Sequence, residues 1–313
     1  MKLYIKANHI KILKNLDTLL PNANAKTAFL LDQQSHHAYK ANLESAKKLS
    51  VNAKKLFYDE RELAKLIKGI YFGNSSCEHL LASITETTQA QKICESKHYN
   101  FVFVFPPISH FKLEEAKYMM QYLAQKPQTE VVVNDIGMLY LAYSHQNIKP
   151  ILGLNFSKII KNAFIGSVTP TELSSTQLTN QQELLTHLEF EVAEVREFYK
   201  GMRVGRFAIE NTPLDLGFLD DKPKMQCDFY YPFVTLANSK ACDIAGIFED
   251  ERAYFVHDDC PRYCNYASLE FSHSKLLDIH QRYNTVYKIN TVLELNKVLY
   301  KDGKNRLVWE IFI

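Results

Sequence analysis

Short apolar runs, rich in β-branched and aromatic residues, alternate along the chain with longer stretches whose apolar positions recur every three or four residues. The short runs predict strands at Lys2–Lys6, Thr27–Leu31, Gly69–Phe72, Phe101–Phe105, Glu130–Val133, Lys149–Leu152, Val204–Ile209, Phe229–Leu236, Thr285–Ile289 and Leu307–Phe312. Helical spacing is clearest over Leu43–Ile67 and over Leu113–Leu123, where Leu113, Ala116, Met120 and Leu123 share one face. Asn134 and Asp135 end the fifth run and suit the cap of a helix over Gly137–Tyr143. Such alternation argues for a parallel sheet with helical crossovers, and eight or more units favour closure into a barrel. The expected fold is therefore an α/β, TIM-barrel-like (β/α) barrel, tolerant of irregularity, with an extra N-terminal α/β segment. Residues 1–313 read as a single barrel-like domain, with a basic segment over 1–68 and a cysteine-bearing region over 225–266.

In a parallel barrel the reactive groups collect at the carboxyl ends of the strands. The stretches to inspect are thus Asn74–Glu78, Pro106–His110, Asn134 and Asp135, Asn155–Lys158, and Glu210 with Asn211. Asn134, Asp135 and Glu210 are candidates for lining a pocket, although helix capping explains the first two equally well. The stretch Gly166–Gln182, rich in Ser, Thr and Gln, reads as a long loop.

Composition narrows the function classes. The 313 residues include only 10 Gly, with no glycine-rich dinucleotide or P-loop signature, and neither H-E-x-x-H nor G-x-S-x-G occurs. Lysines interrupt the apolar start, so no signal-peptide core is expected, and no apolar stretch approaches the roughly 18 residues of a membrane span. The expected compartment is the cytoplasm, where six Cys read as core thiols, metal ligands or nucleophiles before disulfides. Met1–Ile70 carries 13 Lys and Arg against 6 Asp and Glu, and the remainder 24 against 29. That basic lead fits either an acidic partner or nucleic acid, or simply the solvated face of a Lys-rich helix.

The thiols lie at Cys77, Cys94, Cys227, Cys242, Cys260 and Cys264. Cys260-Pro-Arg-Tyr-Cys264 spaces two thiolates so that a turn can aim both at one centre, and the 17 residues after Cys242 can fold a third back onto it. Cys77 follows a predicted strand and is the candidate fourth ligand, with Cys227 as its substitute. Sulfur-only ligation suits zinc or an iron-sulfur cluster. Cys94, in an amphipathic stretch, reads as core. His257-Asp258-Asp259-Cys260 is a poor nucleophilic constellation, because neighbours along a chain point apart. His36 and His37 read as a solvated turn.

Several segments carry a resemblance. IYFGNSSCEHLL resembles the strand-then-Cys segment of the collagenase-like peptidase superfamily, family thirty-two among unassigned peptidases, and of its UbiU and UbiV branch. EVVVNDIGMLYLA is similar to that group's strand ending in Asn-Asp, KPILGLNFSK to its next strand and Gly-turn, and YYPFVTLANSKAC with CPRYC to its cysteine region. The order of an early Cys, a distant second and a C-x3-C pair is most like the UbiV-like branch. The resemblance implies a barrel holding a 4Fe-4S cluster on Cys77, Cys242, Cys260 and Cys264, within an oxygen-independent hydroxylation system acting on a quinone precursor or RNA. It also implies a hetero-oligomer with a UbiU-like protein. The loop between the second and third Cys is longer here, and the peptidase-type arginine and glycine signature is missing, which argues against proteolysis. The alternative from another class is a non-catalytic scaffold or binding subunit, with zinc or no metal.

Overall fold

The computed structural model describes residues 1–16, 44, 48, 63–157, 188–212, 214, 216–248, 260–265, 267, 269–270, 279–290 and 303–311. Among them, eight parallel strands close into a barrel. In circular order these are β1 (Lys2–Ala7), β2 (Ile67–Gly73), β3 (Asn100–Val104), β4 (Thr129–Val133), β5 (Ile148–Leu152), β6 (Arg206–Glu210), β7 (Gln226–Tyr231) and β12 (Arg306–Ile311). Closure is made by β1, which pairs with β12 on one side and β2 on the other. The strand at the head of the basic N-terminal segment is thus a stave of the barrel and not an addition to it.

Helices α1 (Ile10–Lys14), α2 (Leu63–Leu66), α3 (Ile84–Ser96), α4 (Leu113–Ala124), α5 (Ile136–Ser144) and α6 (Ala193–Gly201) surround the strands. Their boundaries have local causes. Ser83 and Glu86 form a reciprocal capping box at the start of α3. Asp135 caps α5 through its Oδ1, which accepts from the Met138 backbone N–H at 2.7 Å. At the other end of α5, the Arg203 guanidinium donates to the carbonyl of Tyr143 and adds second hydrogen bonds to those of Ala142 and His145 at 3.3 and 3.1 Å.

Strand residues alternate between two cores. One residue or more from every stave, namely Tyr4, Tyr71, Val102, Val104, Val132, Ile151, Ala208, Tyr230 and Val308, fills the barrel interior. Their neighbours, such as Ile5, Phe72, Phe103, Val131, Phe207, Phe229 and Trp309, pack outward with helix residues such as Ala90, Met120 and Leu139. Burial on both faces makes barrel strands read as continuous apolar runs.

The amino end of the barrel interior is closed by charge. Arg306 grips Glu130 through two 2.8 Å hydrogen bonds and donates to the Tyr71 hydroxyl at 2.8 Å. Arg206 donates to Asp228 at 2.6 Å, and Asp228 also accepts from Tyr71. Asp228 is fully buried, so its negative charge is tolerated only because these donors surround it.

Three sequence expectations need correction. Phe229–Leu236 is not one strand: β7 stops at Tyr231, and after Pro232, which has no N–H to continue the ladder, the chain turns into β8 (Phe233–Asn238). Thr285–Ile289 is a strand but not a stave. It is β11 of an antiparallel side sheet in the order β8–β11–β10–β9, with β9 at Leu269–Glu270 and β10 at Ile279–Arg282. A short helix, α7 (Asp243–Phe248), belongs to the same insertion between β7 and β12. The run Leu43–Ile67 ends differently too, since Ile67 opens β2. Thr27–Leu31 and Gly166–Gln182 lie outside the described residues.

Candidate functional site at the carboxyl mouth of the barrel

The inward rows of β1, β6 and β12 turn polar at their carboxyl ends, with Lys6, Glu210 and Glu310 in line after Tyr4, Ala208 and Val308. Together with the loops after β2, β4 and β5 and with the side sheet, they enclose a cavity of about 770 Å³. Asn134, Asp135 and Glu210 all line it, as the sequence pattern suggests. Their polar atoms are largely committed to structure. Asp135 also accepts from the Ile108 backbone N–H at 2.8 Å, and Glu210 accepts from the Thr235 N–H at 3.0 Å, tying the side sheet to the barrel. Asn134 is the exception: its Nδ2 donates to the Phe105 carbonyl at 2.7 Å, while nothing among the described residues donates to its buried Oδ1.

Cys77 lines the same cavity. It follows β2 across a sharp turn that begins at Gly73, whose φ of +129° suits glycine and where a Cβ would meet the Val104 carbonyl oxygen at 2.3 Å. The Asn74 side chain closes the turn, accepting from the Ser76 and Cys77 backbone N–H groups at 2.8 Å each. The side sheet then brings the second half of the chain against this loop. At the tip of the β10–β11 hairpin, Tyr283 accepts from Asn8, and Asn284 donates to the Ser76 carbonyl at 3.1 Å and to the Ser239 carbonyl.

That clamp gathers the thiols. Cys77 and Cys264 share one buried apolar cluster with Ile244 and Tyr283, and Cys242 and Tyr263 pack against it. The Cys242 thiol donates to the Tyr283 carbonyl at 3.4 Å. Burial pushes both the Cys77 and Cys264 thiols up to about 12, and the charges of neighbouring Cys groups add to the rise. Cys242 and Cys260 contribute to both. Backbone N–H groups of His79 and Leu80 at Cys77, and of Ala245 and Ile244 at Cys242, act in the opposite sense by favouring thiolate. Cys242 and Cys260 are half-buried, so the group lies at the edge of the protein rather than in its centre.

Cys227 does not join this group. It is the second residue of β7, faces the outer core and is fully buried, which is the setting of an inert thiol. Cys94 is likewise packed in that core, on α3. His36, His37 and the stretch 257–259 lie outside the described residues.

Thiols are the donor type that suits a thiophilic metal centre, and three of them, Cys77, Cys242 and Cys264, share one cluster at a partly open edge. Among the described residues, no three Cys, His, Asp or Glu side chains are drawn together tightly enough to hold one metal ion. No helix among them is long and apolar enough to cross a membrane.

Sequence reasoning overlooked Lys6, Glu310, Arg282 and Tyr287 on the cavity wall, whereas Ser75 lies in the Asn74–Glu78 stretch it marked for inspection. Lys6 makes a buried ion pair with Glu310 and donates to Ser75 Oγ. A signal was available: Lys6 and Glu310 each sit two positions beyond an inward core residue, Tyr4 and Val308, and therefore face the same interior.

Fold and site together define an α/β barrel with a polar cavity at its carboxyl mouth, with Cys77 in the cavity wall and Cys242 and Cys264 clustered with it. Comparison with protein-family models, with curated proteins and with solved structures finds no match to this chain.

Proposed function

We propose that the chain is a cytoplasmic iron-sulfur protein that holds a 4Fe-4S cluster on Cys77, Cys242, Cys260 and Cys264, beside a substrate cavity at the barrel mouth. The observation carrying this reading is the packing of Cys77, Cys242 and Cys264, from three separate parts of the sequence, into one cluster beside the β10–β11 hairpin that clamps the turn after β2, with the charge of Cys260 felt at Cys77 and Cys264. Sulfur-only ligation suits a cluster or a zinc ion, and the resemblance of the cysteine segments tips the choice to iron. When bound, such a cluster supplies one-electron transfer. The chain's own contribution is to exclude water with Ile244 and Tyr283 and to direct backbone N–H groups at the sulfurs, which tunes potential.

The resemblance of the cysteine segments to the UbiV-like branch extends the reading to an oxygen-independent hydroxylation system, with a quinone precursor or RNA as substrate and a UbiU-like partner. Protein purified without oxygen should be brown, with about four iron and four sulfide per chain and broad visible absorption. Substituting Cys242 or Cys260 by Ser should abolish the colour. A colourless protein containing stoichiometric zinc would sink the reading.

A further inference from the structure

Three side chains in the cavity form a relay that the cysteine reading leaves unused. Lys6 Nζ donates to Ser75 Oγ at 2.5 Å and also to Glu310, so a hydroxyl, an amine and a carboxylate are linked in series. Lys6 and Glu310 are only 3% and 6% exposed, whereas Ser75 is half-buried and opens onto the cavity. As an ammonium Lys6 donates to the serine hydroxyl; once a proton has moved from Lys6 to Glu310, the neutral amine can accept from the same hydroxyl, whose hydrogen rotates toward it. Ser75 stands on the tight turn that Gly73 and Asn74 create at the carboxyl end of β2, where barrel enzymes place reacting groups. The constellation is nucleophile, base and orienting carboxylate in hydrogen-bond contact, recognisable by roles rather than by motif.

We propose that Ser75 is a nucleophile toward ester or amide carbonyl groups, with Lys6 as its base and Glu310 as the group that orients Lys6 and takes up a proton from it. Lys6 first passes a proton to Glu310, which frees the amine lone pair; Ser75 Oγ then forms the new bond to the carbonyl carbon as its proton passes to that amine. The carbonyl π electrons move to oxygen, in a cavity whose side-sheet wall carries the positive side chains of Arg282 and Lys240. Collapse breaks the bond to the leaving alcohol or amine, which takes a proton from Lys6 as Glu310 returns one to it. The acyl group remains on Ser75, and water attacking by the same relay releases the acid and regenerates the hydroxyl. None of these steps involves a thiol or a metal.

The test is covalent labelling of the full chain by a fluorophosphonate probe, with the adduct located by peptide mass mapping. A single adduct on Ser75 is expected, lost in Ser75→Ala and formed about 100-fold more slowly in Lys6→Met. Because Lys6→Met leaves Glu310 buried without its counter-charge, Lys6→Arg provides a second comparison. It keeps the positive charge beside Glu310, but a guanidinium does not give up its proton, so labelling should fall by a similar factor in a folded chain. An unlabelled native chain, an adduct on another residue, undiminished labelling of Ser75→Ala, or full-rate labelling of folded Lys6→Arg would each overturn the proposal.

Discussion

Asn134 donates its side-chain amide to the carbonyl of Phe105 at 2.7 Å, which bridges the ends of β4 and β3 and turns the amide oxygen toward Gly153. A Cβ at Gly153 would lie 2.1 Å from that oxygen and 2.6 Å from the carbon that bears it. The contact therefore leaves room for glycine alone unless Asn134 shifts.

Gly153→Ala should displace Asn134 or strain the end of β5, at a cost of about 1–3 kcal/mol. Urea denaturation measures the loss. The added variant Asn134→Ala in the Gly153→Ala background should recover part of it, because the clashing atoms are gone. Additive losses would show that the two residues are uncoupled.

Removing one partner from the charged floor of the barrel should be more damaging. Arg206→Met leaves the fully buried Asp228 with Tyr71 as its remaining side-chain donor, and a loss of about 3–5 kcal/mol is expected. Replacing both, as Arg206→Met with Asp228→Leu, should be less destabilising than the single change. Thermal and urea unfolding of the three chains decide this.

The thiol group predicts a pattern of metal content. Cys77→Ser should abolish iron and sulfide in oxygen-free protein, whereas Cys227→Ala should retain both, because Cys227 lies in the outer core away from the mouth. Iron lost equally from the two variants, with folding intact by circular dichroism, would contradict the placement of the ligands.

Alkali should reveal a buried thiol remote from the mouth. Burial pushes Cys94 from its ordinary value of 9.0 up to about 12, with the Glu95 charge adding to the rise. The folded value exceeds the unfolded one, so this contribution is complete below about pH 9 and is lost progressively as pH climbs toward 12. Between pH 8 and pH 10 the native chain should lose about 1.4 kcal/mol more stability than Cys94→Ala. Urea midpoints at the two pH values, in reductant, supply the comparison.

Most staves were legible in the sequence because a strand buried on both faces must be apolar throughout. The same property hid the boundary at Pro232, where β7 and β8 run together as one apolar stretch although only the first belongs to the barrel. β10 escaped notice for the opposite reason: Ile279-His280-Gln281-Arg282 is buried along its whole length yet mostly polar, so no hydrophobic period marks it. Cysteine spacing singled out Cys242, Cys260 and Cys264 because the chemistry of sulfur ligands restricts residue type, and Cys77 was added for its place after a strand. Lys6, Ser75 and Glu310 carry no such restriction. Their meeting depends on the closure of β1 against β12, a register between positions 304 residues apart.

That closure bears on how the molecule is made. As the chain emerges from the ribosome, the seven earlier staves can assemble only as an open trough with two unpaired edges, and Lys6 has no counter-ion until Glu310 has been synthesised. A nascent chain halted before β12 should therefore be a client of chaperones, with its cavity unformed, and the last stave acts as the keystone that turns a sticky ribbon into a finished vessel.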